Sequence, residues 1–89
     1  MIKLVAVESK DDTHLLLRFS DGTNGVFDFT CFIEANTEMT APLHDPAFFA
    51  RHFIDAGALA WPNGFDLSAE SLQRRLQDAG ELHRSAAAA

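Results

Sequence analysis

Eighty-nine residues with 47% apolar and 22% charged positions make one small globular domain and exclude a catalytic unit joined to a separate regulatory one. A chain of this size buries about 60 to 65% of its unfolded surface, so the core is one thin layer with little room for a deep active site. Seven Lys and Arg against thirteen Asp and Glu leave a formal charge of −6. Such a surface repels phosphate backbones, so direct nucleic-acid binding is not expected.

The single cysteine, Cys31, excludes an internal disulfide, and no signal-peptide pattern opens the chain. No apolar stretch approaches the ~20 residues that cross a bilayer. The expectation is a cytoplasmic protein without a membrane span.

In chain order, Ile2, Leu4 and Ala6 alternate with their neighbours and predict a strand over Ile2 to Glu8, followed by turn residues Ser9 to Asp12. Leu15, Leu17 and Phe19 share one face of a second strand, Thr13 to Ser20, and Asp21-Gly22 reads as a hairpin turn. The third strand, Asn24 to Thr30, raises a question of register. A two-residue loop would set Val26 opposite Leu17 and Asp28 opposite Leu15. One extra residue between Thr23 and Gly25 would instead set Phe27 and Phe29 against those leucines, and this bulged form is expected.

Cys31 to Ala35 is apolar but too short for a stable helix, with Cys31 expected to be buried, and Asn36 to Pro42 reads as a loop. Asp45 as N-cap and Pro46 at the first helical position predict a helix from Pro46 to about His52, with Phe49 and Phe53 turned to the sheet. Phe53 to Asp55 and Ala58 to Trp61 resemble two short strands around Ala56-Gly57, and Trp61-Pro62-Asn63-Gly64 is a turn. Ser68 caps a last helix, Ala69 to Ala79, with Leu72, Leu76 and Ala79 as its apolar stripe and Gly80 as its stop. These elements predict an α+β fold, a small antiparallel sheet with a leading hairpin and two short helices packed on it. The domain is expected to cover residues 1–80, with 81–89 a disordered tail.

Several of these features belong together. Phe19-Ser20-Asp21-Gly22, Asp28, Leu43-His44-Asp45-Pro46, Phe49 and Trp61-Pro62-Asn63-Gly64-Phe65-Asp66-Leu67, in that order, resemble the bacterial domain of unknown function 2442 family over about Leu4 to Leu72. The resemblance implies a small α+β fold, a bacterial cytoplasmic source, no established activity, and an association with toxin–antitoxin-type gene pairs. Some members carry an appended helix-turn-helix; the residues after Gly80 are not expected to form one.

Trp61, Asn63 and Asp66 bring an aromatic, a carboxamide and a carboxylate close together, so a ligand-binding pocket would be sought there first. The competing reading is structural: Pro-Asn-Gly is turn chemistry, Asp66 can cap, and Trp61 has the largest area to bury. His14, His44, His52 and His83 show no metal-ligand spacing, and neither a metal nor a cofactor is expected. Glu8, Asp11, Asp12, Glu34 and Glu38 fall in turns and loops and read as solubility charges. Arg74 and Arg75 form too small a basic patch to outweigh the overall charge. No phosphate loop or nucleophile elbow is present.

The functional expectation is a non-enzymatic interaction module whose acidic face or free sheet edge engages a basic, toxin-like protein partner or a second copy of itself. The alternative is a small-molecule-binding or minor enzymatic domain centred on Trp61, Asn63 and Asp66.

Overall fold

The structure, a computed structural model, describes residues 1–84. Alternation along the second predicted strand translates directly into burial: Leu15, Leu17 and Phe19 are inside, while Arg18 is exposed. This strand, β2 (His14–Phe19), is flanked antiparallel by β1 (Leu4–Ser9) and β3 (Thr23–Asp28). The chain continues through α1 (Thr30–Ala35), a 3₁₀ turn at Ala41–His44, α2 (Pro46–Phe49), β4 (Phe53–Asp55), β5 (Ala58–Ala60), β6 (Asp66–Leu67), α3 (Ala69–Asp78) and β7 (His83–Arg84). The strands form two antiparallel sheets, β1-β2-β3-β7 and β4-β5-β6. The fold is therefore α+β, as the sequence predicts.

The hairpin register resolves differently from either sequence alternative. Leu15 pairs with Phe27 and Leu17 with Gly25. The connection is the three residues Ser20, Asp21 and Gly22, not a two-residue turn followed by a bulge. The Gly22 N–H donates to the Phe19 carbonyl at 3.2 Å, and Gly22 takes φ +87°. This is a turn closed by a left-handed residue, the three-residue hairpin solution. It keeps Leu15, Leu17 and Phe27 on one face, because three loop residues preserve the parity that two would invert. The Asp21 carboxylate accepts from the Thr23 N–H and hydroxyl, and Gln73 of α3 donates to both Asp21 and Thr23 at 2.9 Å. The loop is thus tied to the last helix.

The same solution recurs between β5 and β6. Pro62, Asn63 and Gly64 connect Trp61 to Phe65; the Gly64 N–H donates to the Trp61 carbonyl at 3.0 Å and Gly64 has φ +91°. Asn63 Oδ1 accepts from the Phe65 N–H at 3.1 Å, the place Asp21 takes toward Thr23 in the first loop.

Four other expectations need correction. Cys31 to Ala35 lies within a helix, α1, because Asp28 accepts from the Thr30 N–H and hydroxyl at its start and Phe32 and Ile33 pack on the core from one turn. Cys31 falls on the other side of that turn and is exposed. The helix begun by Asp45, whose carboxylate accepts from the Ala47 N–H at 3.0 Å, ends at Phe49, well short of His52. Phe49 is buried, but Phe53 belongs to β4 and is exposed. Finally, in the segment expected as tail, residues 83 and 84 form β7. A Schellman turn, with Glu81 N–H donating to the Leu76 carbonyl and Gly80 N–H to that of Gln77, swings the chain back so that β7 pairs with Thr23 and Asn24. The remaining tail residues, 85–89, lie outside the described residues.

The core lies between the inner face of the larger sheet, α2, α3 and β5. Trp61, Phe29 and Phe49 are its largest fully buried side chains. Phe29 meets both others edge-on, with ring centroids 5.8 Å from Trp61 and 5.6 Å from Phe49, an arrangement favoured by the ring quadrupoles. Leu72 and Leu76 supply the buried stripe of α3, whose start is capped by Ser68 accepting from the Ser71 N–H.

Candidate functional site

Among the described residues, three places gather side chains that could act on something outside the molecule. At the first, the turn after β5, Trp61 is turned inward and its indole N–H donates to the Phe49 carbonyl at 3.0 Å. Asn63 uses its amide nitrogen on the Met39 carbonyl at 3.0 Å and its oxygen on the turn itself. Asp66 is exposed on β6, in backbone register with Ala60. Trp61 and Asn63 thus spend their polar atoms on backbone groups, and the three side chains serve three different surroundings.

The second place is a cleft of about 430 Å³ beside β3. Phe27, Leu76 and Ala79 contribute apolar walls, and His14, Asp28, Cys31, Arg75 and Glu81 the polar rim. Strand register puts His14 directly opposite Asp28, and His14 Nε2 lies 3.7 Å from Asp28 Oδ2. The other ring nitrogen, Nδ1, is 2.9 Å from Asp11 Oδ1. That oxygen also accepts from the Thr13 N–H at 2.9 Å, the Thr13 hydroxyl at 3.1 Å and the His14 N–H at 2.8 Å. The Thr13 N–H and the His14 ring, with the other donors, hold the Asp11 carboxyl down at about 2. Asp28 is likewise lowered, first by the Thr30 hydroxyl and then by the Thr30 N–H. Both carboxylates therefore stay ionised, serving as acceptors and not as proton donors. The Arg75 guanidinium lies over the Phe32 ring, 5.0 Å from its centroid.

These rim residues are distant in sequence. His14 and Arg75 read singly as surface charges and Cys31 as a buried spectator; no local spacing joins them. The one sequence signal was Asp28, part of the pattern behind the family resemblance.

The third place is where the two sheets meet. The Leu4 N–H donates to the Gly57 carbonyl at 2.8 Å, and β1 lies against β4. On these two neighbouring strands Val5 is 57% exposed, Phe53 45% and Ile54 38%. Every residue of β4 is exposed, although it is an edge strand with two large apolar side chains.

Among the described residues, no group of three His, Cys, Asp or Glu is placed to hold a metal ion, and no helix is long and apolar enough to cross a membrane. No curated protein and no solved structure matches the chain. A family model does: that of DUF2442, proteins of unknown function, covers residues 4–77, which include both three-residue hairpin loops, the Asp28 pairing with His14 and the Trp61 core contact, and the chain belongs to this family.

Proposed function

We propose that this protein is a non-enzymatic interaction module that binds a protein partner through the surface where β1 and β4 meet. The observation that carries this reading is the exposure of Val5, Phe53 and Ile54 on those two adjoining strands. Large apolar side chains left exposed on two strands that are each the edge of a sheet are what a partner surface covers. A module this small gains little by exposing them otherwise, since its own core is thin.

The net charge of −6 favours a basic partner and speeds its approach. A toxin-like protein encoded beside this one, in a bacterial cytoplasm, fits that chemistry and the kind of gene pair with which the family resemblance is associated. The chain then acts as the acidic, antitoxin-like member.

A photo-crosslinking side chain placed at Phe53 and, as a control, at exposed Glu38 tests the reading in cells of the native host. The expected result is one basic protein trapped from position 53, not from position 38, and lost when Ile54→Asp is added. Equal labelling from both positions, or none from position 53, overturns it.

A further inference from the structure

The outer edge of β3 is only partly used. Among the described residues, β7 pairs with it at Thr23 and Asn24 and no strand continues beyond. The Phe29 N–H donates to the Thr13 carbonyl at 2.8 Å, which fixes the antiparallel alternation between β2 and β3. Odd-numbered residues of β3 bond to β2, so Asn24, Val26 and Asp28 turn their N–H and C=O groups to the outer edge. Asn24 meets β7 there. Val26 and Asp28 open into the cleft walled by Phe27, Leu76 and Ala79.

The chain's own course keeps this edge open. After α3 the Schellman turn places the Glu81 carbonyl against Gly25, where a Cβ would come within 2.5 Å of it. The backbone therefore reaches strand position only at His83, past the level of Val26. A groove between a strand edge and a helix is left in line with β7.

We propose that an extended segment of a basic partner protein adds here as a short strand, pairing with Val26 to Asp28 and lying against α3. Strand addition draws affinity from main-chain hydrogen bonds and selectivity from pockets for alternate side chains. The edge offers about three residues, roughly 10 Å at strand rise. Inward side chains of the incoming segment meet Phe27, Leu76 and Ala79, and must be apolar. Outward ones pass exposed Asp28 and, at the cleft end, Glu81, while Arg75 is drawn aside over Phe32. Lys or Arg suits those positions, in keeping with the net charge. This groove lies across β2 from the β1–β4 surface and does not depend on it.

The probe is a random library of linear heptapeptides displayed on phage and selected on the whole protein, the strongest peptide then being synthesised. Peptides alternating apolar residues with Lys or Arg are expected to emerge. At saturation the amide protons of Val26 and Asp28 should exchange about tenfold more slowly. Val26→Pro removes an outward N–H without touching the β2–β3 ladder, as proline is tolerated on an edge, and should weaken binding about tenfold. Alkylating exposed Cys31 on the cleft rim with a maleimide, which changes no backbone, should weaken it at least as much. No enrichment, enrichment of acidic peptides, or binding indifferent to both changes overturns the proposal. Protection of Val26 and Asp28 that rises with protein concentration alone also overturns it, by assigning the edge to a second copy.

Discussion

The indole N–H of Trp61 donates to the carbonyl of Phe49, twelve residues earlier, at 3.0 Å in the buried interior. The bond joins the residue that follows β5 to the last residue of α2, and the same two rings pack with centroids 6.0 Å apart. Packing and hydrogen bonding therefore fail together when the ring is removed. Trp61→Ala should cost about 3–5 kcal/mol, much of the ~5–10 kcal/mol available to so small a domain. Trp61→Phe keeps an aromatic ring but drops the donor, and about 2 kcal/mol is expected. Urea denaturation of the two variants checks the order. Wild-type stability in Trp61→Ala would place the ring outside the core.

Gly25 is a position where any side chain is refused by its neighbours. It faces inward opposite Leu17, and a Cβ there would stand 2.5 Å from the Glu81 carbonyl oxygen and 3.1 Å from Leu76 Cδ1. The first of these is backbone, which cannot rotate aside. Gly25→Ala should destabilise by about 1–3 kcal/mol through overpacking, although alanine is the better residue for an ordinary strand. The displaced group carries the chain into β7, so amide exchange at His83 and Arg84 should accelerate before that of β2. Equal acceleration in both strands would show that β7 holds no separate local stability.

How much of this was legible beforehand depends on the range of the interaction. The inward set Leu15, Leu17 and Phe19 follows from period-two alternation, and the limits of α3 from Ser68 and Gly80, all local signals. The loop length at Asp21-Gly22 did not follow. Asp-Gly signals a two-residue turn, whereas Ser20 joins the loop because the Asp21 carboxylate binds Thr23 and Gln73 reaches it from α3, 52 residues away. The four-residue spacing of Phe49 and Phe53 predicts that both turn to the sheet, but α2 ends after one turn and Phe53 stands exposed on β4, the strand that the sequence also predicts there. Of the candidate site, Trp61 and Asn63 carried a readable turn. The cleft at Val26 to Asp28 depends on where a Schellman turn returns the chain, which no spacing records.

Three aspartates repeat one bonding pattern with a threonine two residues on. Asp11, Asp21 and Asp28 accept from the N–H groups of Thr13, Thr23 and Thr30 at 2.9, 3.1 and 2.9 Å, and from their hydroxyls at 3.1, 2.6 and 2.6 Å. Asp11 falls from 3.8 to about 2, chiefly through the Thr13 N–H and the His14 ring; Asp21 and Asp28 are lowered chiefly by the threonine hydroxyls. A carboxyl lowered by folding stabilises the native state above its ordinary value and loses that contribution as pH falls through its folded value. The melting temperature should therefore decline as the solution is acidified below about pH 4, with the Asp11 share vanishing near pH 2. Asp11→Asn should flatten this decline while lowering stability at pH 6. Thermal melts at both ends of the range decide it. An unchanged acid slope in the variant would mean that the turn persists in the unfolded chain.

Gly64 and Asp66 separate a structural turn from a binding site. Gly64 sits at φ +91°, and a Cβ there would meet nothing nearer than Met39 Cε at 3.8 Å, so the obstacle to a side chain is the backbone conformation and not space. Gly64→Val should cost about 1–3 kcal/mol by forcing a β-branched residue into that region. Asn63→Ala, which strips bonds to the Met39 carbonyl and the Phe65 N–H, should cost about 1–2 kcal/mol. Asp66 is exposed on β6 and is held there by the backbone ladder, so Asp66→Asn should stay within about 0.5 kcal/mol of wild type. A ligand site would reverse this order, because there the charge of Asp66 would matter and the turn would merely present it. Melts of the three variants, repeated with the protein trapped at Phe53 added, separate the two. The expected outcome is an Asp66→Asn protein that melts and binds as wild type does; one that melts normally but no longer binds would move the functional surface from β4 to this turn.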